Sequence, residues 1–342
     1  MSNEILSRIL DKCEAAGNLA VFDSFVKAYP KIETKRKILC FISGGADSDI
    51  VLDIFAKLDQ HKKVKYIFFD TGIEYQATKE HLDFLEQKYG ITIERIKAVV
   101  PVPLGCKKHG VPFWSKHASE MIERLQSHGF KWEDKPFDEL IKEYPKCRAA
   151  LRWWCNDFAE KIGKNGKIIK SKFNINYIDF LKEYMIANPP PFKISPKCCE
   201  GAKKKNAKKY LDLYEADLNV LGLRKDEGGI RSVAFKTCFT PAKNNESWDN
   251  YRPIFFYTDK DKTEYEELFC VTHSKCYSVY GLRRTGCAGC PFGKDFENEL
   301  QVIKEHEPRL YNAVNKIFGE SYEYTRKFYE FRKSMKEGET IV

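Results

Sequence analysis

The chain lacks any apolar run approaching the 18 or so residues that a membrane helix needs. Its first residues, MSNEILSRILDKCEAAG, have no basic start, no continuous apolar stretch and no small-residue cleavage site, so a secretory signal is not expected. There is no low-complexity tail and no internal repeat, which argues against a linker or solenoid. No Gly-Lys-Ser/Thr follows its glycine-rich loop at Walker spacing. The seven histidines show no metal-ligand spacing, and His109, His117 and His273 read as structural or surface residues.

What is present is a chain of 342 residues with 43% apolar and 31% charged residues, too apolar and aromatic for disorder. Lys and Arg number 58 against 49 Asp and Glu, a formal charge of +9. Twelve cysteines in a chain with no secretory features point to thiols kept reduced in the cytoplasm.

Apolar residues recur at helical spacing before Lys35. Lys37–Ile42 reads as a buried strand, followed by SGGADS and a helix carrying Ile50, Val51, Ile54 and Phe55. Lys65–Phe69 is a second strand, Gln76–Tyr89 a helix and Ile91–Val100 a third strand. That alternation predicts an α/β fold with a doubly wound, mostly parallel sheet. The expected organisation is helices over 1–34, a nucleotide-binding domain over 35–292 with an aromatic helical insertion at about 107–190, and helices over 293–342.

Ser43-Gly44-Gly45-Ala46-Asp47-Ser48 lies between a strand and a helix. Two glycines let the backbone aim N–H groups at an anion, and the helix adds its positive end. Asp47 does not favour a phosphate directly, so a role through a metal or as a helix cap is expected. Asp70-Thr71-Gly72-Ile73-Glu74 follows the second strand. Both segments fall at the carboxyl ends of neighbouring strands, where open α/β sheets bind ligands.

SGGADS resembles the SGGxDS loop of the PP-loop superfamily, the adenine nucleotide alpha hydrolase-like proteins. The Asp70 segment is similar to the second signature of the phosphoadenylylsulfate (PAPS) reductase family within it. The resemblance implies a Rossmann-like fold and an adenine nucleotide held by Ser43, Gly44, Gly45, Asp47, Ser48, Asp70, Thr71 and Gly72. Gly222-Leu223-Arg224, followed by Arg231, resembles the family's G-x-R motif with its second arginine. It assigns Arg224 to nucleotide binding and Asp47, Arg224 and Arg231 to catalysis.

The adjacent pair Cys198-Cys199 and the Cys287-Ala288-Gly289-Cys290 motif suit an iron–sulfur cluster, a zinc site or redox thiols. An adjacent pair before a basic helix and a distant CxxC resemble the cluster signature of assimilatory adenylylsulfate (APS) reductases. That resemblance implies a [4Fe-4S] centre on Cys198, Cys199, Cys287 and Cys290, with zinc as the alternative. Cys106, Cys147, Cys155 and Cys276 are candidate reactive thiols, whereas Cys13, Cys40, Cys238 and Cys270 read as inert packing.

Reductases of this family attack the sulfate sulfur with a cysteine near the C-terminus, and no cysteine follows Cys290 here. The expectation is therefore the superfamily's other branch: an iron–sulfur sulfurtransferase that uses ATP and Mg²⁺, releases pyrophosphate and receives sulfur from a donor such as a cysteine desulfurase. APS or PAPS reduction and a non-catalytic nucleotide sensor are the alternatives. A nucleic-acid acceptor is compatible with the +9 charge, the lysine run Lys203–Lys209 and the aromatics Phe113, Trp114, Trp132, Trp153 and Trp154.

Overall fold

A computed structural model of the chain describes residues 2–163, 165–227, 234–242, 247–293 and 295–339. Its strands are β1 (Ile38–Ile42), β2 (Val64–Asp70), β3 (Ile93–Lys97), β4 (Lys161–Ile162), β5 (Ile168–Ile169), β6 (Leu218–Leu221), β7 (Phe239–Thr240) and β8 (Asp249–Tyr251). Two compact units share them. The first comprises Met1–Pro101 and Gly201–Ala288, and the second Val102–Glu200 and Gly289–Val342.

The first unit holds a six-stranded sheet in the order β3-β2-β1-β6-β8-β7. All neighbours are parallel except the edge pair β7–β8. The fold is α/β with a mostly parallel sheet, as the sequence predicts. β1 lies centrally because its run Ile38-Leu39-Cys40-Phe41-Ile42 is apolar on both faces, as a strand covered on both sides requires. Ile38 pairs with Val64 on one side and Leu218 on the other. On one face Ile50, Ile54 and Phe55, from the helix Ala46–Leu58, pack with Val21, Phe25 and Ile32 from the helix Leu19–Thr34. Leu39 and Ile67 pack with Leu211 and Trp248 in a separate cluster. Helices over 296–306 and 308–339 form the C-terminal part.

The second unit has its own aromatic core. Trp153, Trp154, Phe113 and Tyr184 are at most 1% exposed and pack with Phe328 from the helix Pro308–Glu339. Trp132 is buried too, and Trp114 packs against this cluster. The aromatics that the sequence offered as a nucleic-acid surface are thus core side chains. Phe113, Trp114, Trp132 and Trp154 make edge-on ring contacts and Trp153 a tilted one with Trp154, which is worth more than exposure to solvent.

Candidate functional site

The loop after β1 begins a helix directly. Gly45 is the N-cap of Ala46–Leu58, and the Ser48 and Asp49 N–H groups donate to its carbonyl at 2.9 and 3.1 Å. Ser48 Oγ donates to Gly45 O at 2.7 Å and lies 3.2 Å from Ser43 Oγ. Two hydroxyls thus face each other across the loop at the positive end of the helix. Gly44 has φ +67°, and a Cβ there would stand 2.5 Å from Thr78 Cγ2. Glycine is required at this position both by conformation and by space. Tyr277 and Thr285 approach the same loop: the Ala46 N–H donates to Tyr277 Oη at 3.0 Å, and Thr285 Oγ1 donates to Gly44 O at 3.4 Å. Tyr277 carries no local motif, whereas Thr285 sits in the Arg283-Arg284-Thr285-Gly286 stretch that leads into the CxxC motif.

Asp47 lies in the first helical turn and is not the cap. Arg224 Nε donates to both Asp47 carboxylate oxygens at 3.1 Å, and Lys262 Nζ sits 3.2 Å from Oδ1. Arg224 is only 6% exposed, and its Nη1 also donates to Asp259 at 2.9 Å. Arg224 thus meets the loop after β1 through a carboxylate. Gly222 permits it, since a Cβ there would meet Asp47 O and Ser48 Cα at 3.1 Å. Arg231 lies outside the described residues. Arg283 and Arg284 are exposed.

After β2, Thr71 is fully buried; its Oγ1 donates to Glu74 Oε1 at 2.5 Å, and the Gly72 N–H donates to Asp70 Oδ1 at 2.9 Å. Burial pushes the Glu74 carboxyl up, with Lys203 and Thr71 opposing. Thr71 Oγ1 also lies 3.5 Å from Cys287 Sγ.

Behind the loop runs a charged network that the sequence did not disclose. Buried Asp49 receives His81 Nε2 at 3.0 Å and His273 Nδ1 at 2.8 Å, while His273 Nε2 lies 2.9 Å from Glu266. Both His273 nitrogens face carboxylates, so the ring donates from both as an imidazolium. Burial alone would lower its pKa, but the hydrogen bonds to Asp49 and Glu266 outweigh it and raise the value to about 9. A histidine raised in the folded state stabilises fully below its unfolded value of 6.5, and the contribution disappears as pH rises through about 9. Thermal melts of the wild type should therefore lose about 3 kcal/mol of stability across that window. His273→Gln should flatten the dependence; a wild-type melting temperature constant over the window would refute it.

The cysteines divide between the units. In the second unit, Cys198 is buried; a hydrogen bond with Cys106 raises its pKa, one with Cys199 lowers it, and burial and the charge of Cys290 add to the rise. Cys287 belongs to the first unit. Among the described residues, no three His, Cys, Asp or Glu side chains form a ready-made metal-holding group. The donor chemistry nonetheless fits a thiolate-held metal, because Cys198 is hydrogen-bonded with Cys106 and Cys199 and lies near Cys290. Cys106 joins this group through tertiary structure alone. Cys13 and Cys40 are core residues as expected, with burial raising both thiols. Cys270 is a correction: it is exposed and closes the helix Asp259–Phe269 in a left-handed conformation, so it is not packing.

A mostly parallel sheet with SGGADS at the carboxyl end of one of its inner strands defines an α/β domain with a glycine-rich loop at a helix N-terminus. Residues 37–152 match the family described as phosphoadenosine phosphosulfate reductase domain. An uncharacterized protein of Methanocaldococcus jannaschii is 32% identical over 306 residues, covering 86% of this chain and 44% of that protein. Adenosine 5'-phosphosulfate reductase 2 of Bacillus subtilis is 28% identical over 100 residues, 27% of this chain and 41% of its own. The chain thus spans less than half the length of both curated relatives. Among solved structures, PAPS reductase from Candida auris in a phosphate complex has a TM-score of 0.43 at 13% identity, covering 81% of this chain and 93% of that one. The U34-tRNA thiolase of Methanococcus maripaludis with its [4Fe-4S] cluster has 0.35 at 12%, covering 88% and 78%.

Proposed function

We propose that the protein binds ATP with Mg²⁺ at Ser43–Ser48, activates an acceptor oxygen as its adenylate with release of pyrophosphate, and replaces the adenylate with sulfur. The observation that carries this reading is Asp47 in the first turn of the phosphate-binding helix, held by Arg224 and Lys262. A carboxylate there repels a bare phosphate, and a nucleotide-bound cation would compete with Arg224 and Lys262 for it. A magnesium-bound triphosphate brings that cation, and Arg224 and Lys262 then stand beside the transferred charge. Ser43 and Ser48 orient the phosphates by hydroxyl donation. Asp70, Thr71 and Gly72, at the end of the neighbouring strand, line the nucleoside side. Cys198, Cys199, Cys287 and Cys290 would hold a [4Fe-4S] centre, which supplies a coordination site for sulfide.

The 28% identity to an adenosine 5'-phosphosulfate reductase favours a second reading, reduction of APS or PAPS to sulfite. Incubation with ATP, Mg²⁺ and candidate acceptors distinguishes them. Acceptor-dependent pyrophosphate release supports the first. Sulfite from APS or PAPS, with no pyrophosphate from ATP, replaces it with the second.

A further inference from the structure

Between Lys161 and Lys172 the sequence KIGKNGKIIKSK holds five lysines and no acidic residue. In the second unit this stretch is an antiparallel hairpin of β4 and β5, with Ile162 opposite Ile168 and Lys161 opposite Ile169. Neither face is covered: Ile162 is 80%, Ile168 67% and Ile169 56% exposed. Lys161, Lys167 and Lys172 are exposed too and form no ion pair with described residues. A lone two-stranded hairpin is marginal in water, so one exposed on both faces awaits a partner.

Phe173 and Tyr177 follow at 58% and 50% exposure. The Phe173 ring is held from behind by Phe158 at 5.8 Å and His117 at 5.7 Å, which leaves an outward face fixed in place. Beside them a cavity of about 410 Å³, within the range of small-molecule pockets, is lined by Asn156, Lys170, Asn176, Asp179, Lys182 and Glu183 among others. Asn176 Oδ1 is buried without a hydrogen-bond partner.

We infer that this surface docks a single-stranded segment of RNA. The lysines match a phosphate backbone, and the exposed rings supply stacking planes for unpaired bases. Asp179 is held by Lys170 at 2.8 Å and Arg332 at 3.2 Å, which leaves the exposed Glu183 to accept from a ribose 2'-hydroxyl, a group that DNA lacks. On the hairpin Ile169 faces the same way as Lys161, so the apolar residues are not gathered on one side as membrane insertion requires. This surface is independent of nucleotide activation, and binding is read without ATP, so its failure and the failure of adenylation are separate results.

The test is fluorescence anisotropy of the full chain with a labelled unpaired RNA of about 16 nucleotides. The same-sequence DNA, a blunt RNA duplex and phosphatidylglycerol vesicles serve as competitors. Unpaired RNA is expected to bind most tightly. Lys161→Glu/Lys167→Glu/Lys172→Glu is expected to lose at least tenfold in affinity, and the matching triple Ala variant is expected to lower the salt slope by roughly 2. Phe173→Ala is expected to lose fivefold or more. The charge-reversed side chains are solvent-exposed, so an unchanged melting temperature accompanies the loss. The inference is overturned if both triple variants bind as the wild type does, or if DNA, duplex or vesicles compete as well as unpaired RNA.

Discussion

Gly44→Ala is expected to abolish ATP binding, with an apparent affinity loss of at least a hundredfold. Two independent costs meet at this residue. An alanine at φ +67° pays roughly 1–2 kcal/mol for the left-handed conformation. Its Cβ would also stand 2.5 Å from Thr78 Cγ2, so either the loop or the helix Gln76–Tyr89 must shift. A shift of the loop moves Ser43 and Ser48 off their shared axis and turns the amides away from the phosphate. Isothermal titration with ATP and Mg²⁺ measures the loss. Adding Thr78→Ala removes the clash and leaves the conformational cost, so the double variant should recover part of the affinity. Wild-type affinity in Gly44→Ala would show that the loop does not hold the nucleotide. Metal content is expected to stay largely unchanged, since three of the four proposed ligands, Cys198, Cys199 and Cys290, lie in the other unit.

Cys198→Ser is expected to lose iron and acid-labile sulfide together in an anaerobic preparation, and with them the absorbance of the cluster. Cys198 is 3% exposed and lies among other sulfurs, so a serine leaves a buried hydroxyl in a soft-donor site. Cys199→Ser is expected to behave alike. Cys106→Ser is expected to keep the metal and shift the reduction potential, because its contact is a hydrogen bond to a ligand sulfur. Elemental analysis decides the outcome: zinc in place of iron replaces the cluster with a structural site, and full iron in Cys198→Ser refutes the assignment. ATP binding should survive each of these substitutions.

The strand positions were legible because a parallel sheet covered on both faces needs short, wholly apolar runs, and β1 and β2 are such runs. The glycine loop was legible because its residues are contiguous. The partners of Asp47 were only half legible: Arg224 sits in a recognisable G-x-R motif, whereas Lys262 stands in an ordinary charged helix. The pairing of His273 with Asp49 spans 224 residues and carries no spacing signal at all.

Burial decided the aromatics. Composition is blind to which face of Trp153 or Trp154 meets solvent, so the same aromatics are compatible with a surface until packing places them in a core. The sequence by itself determined the class of fold and the place of the phosphate loop, since both depend on local periodicity and local backbone freedom. Tertiary structure alone decided which charges meet at Asp47, that Cys106 joins Cys198, and that a lysine-rich hairpin stands uncovered. Those are long-range contacts, and a chain closes them by packing two cores whose partners are far apart in sequence.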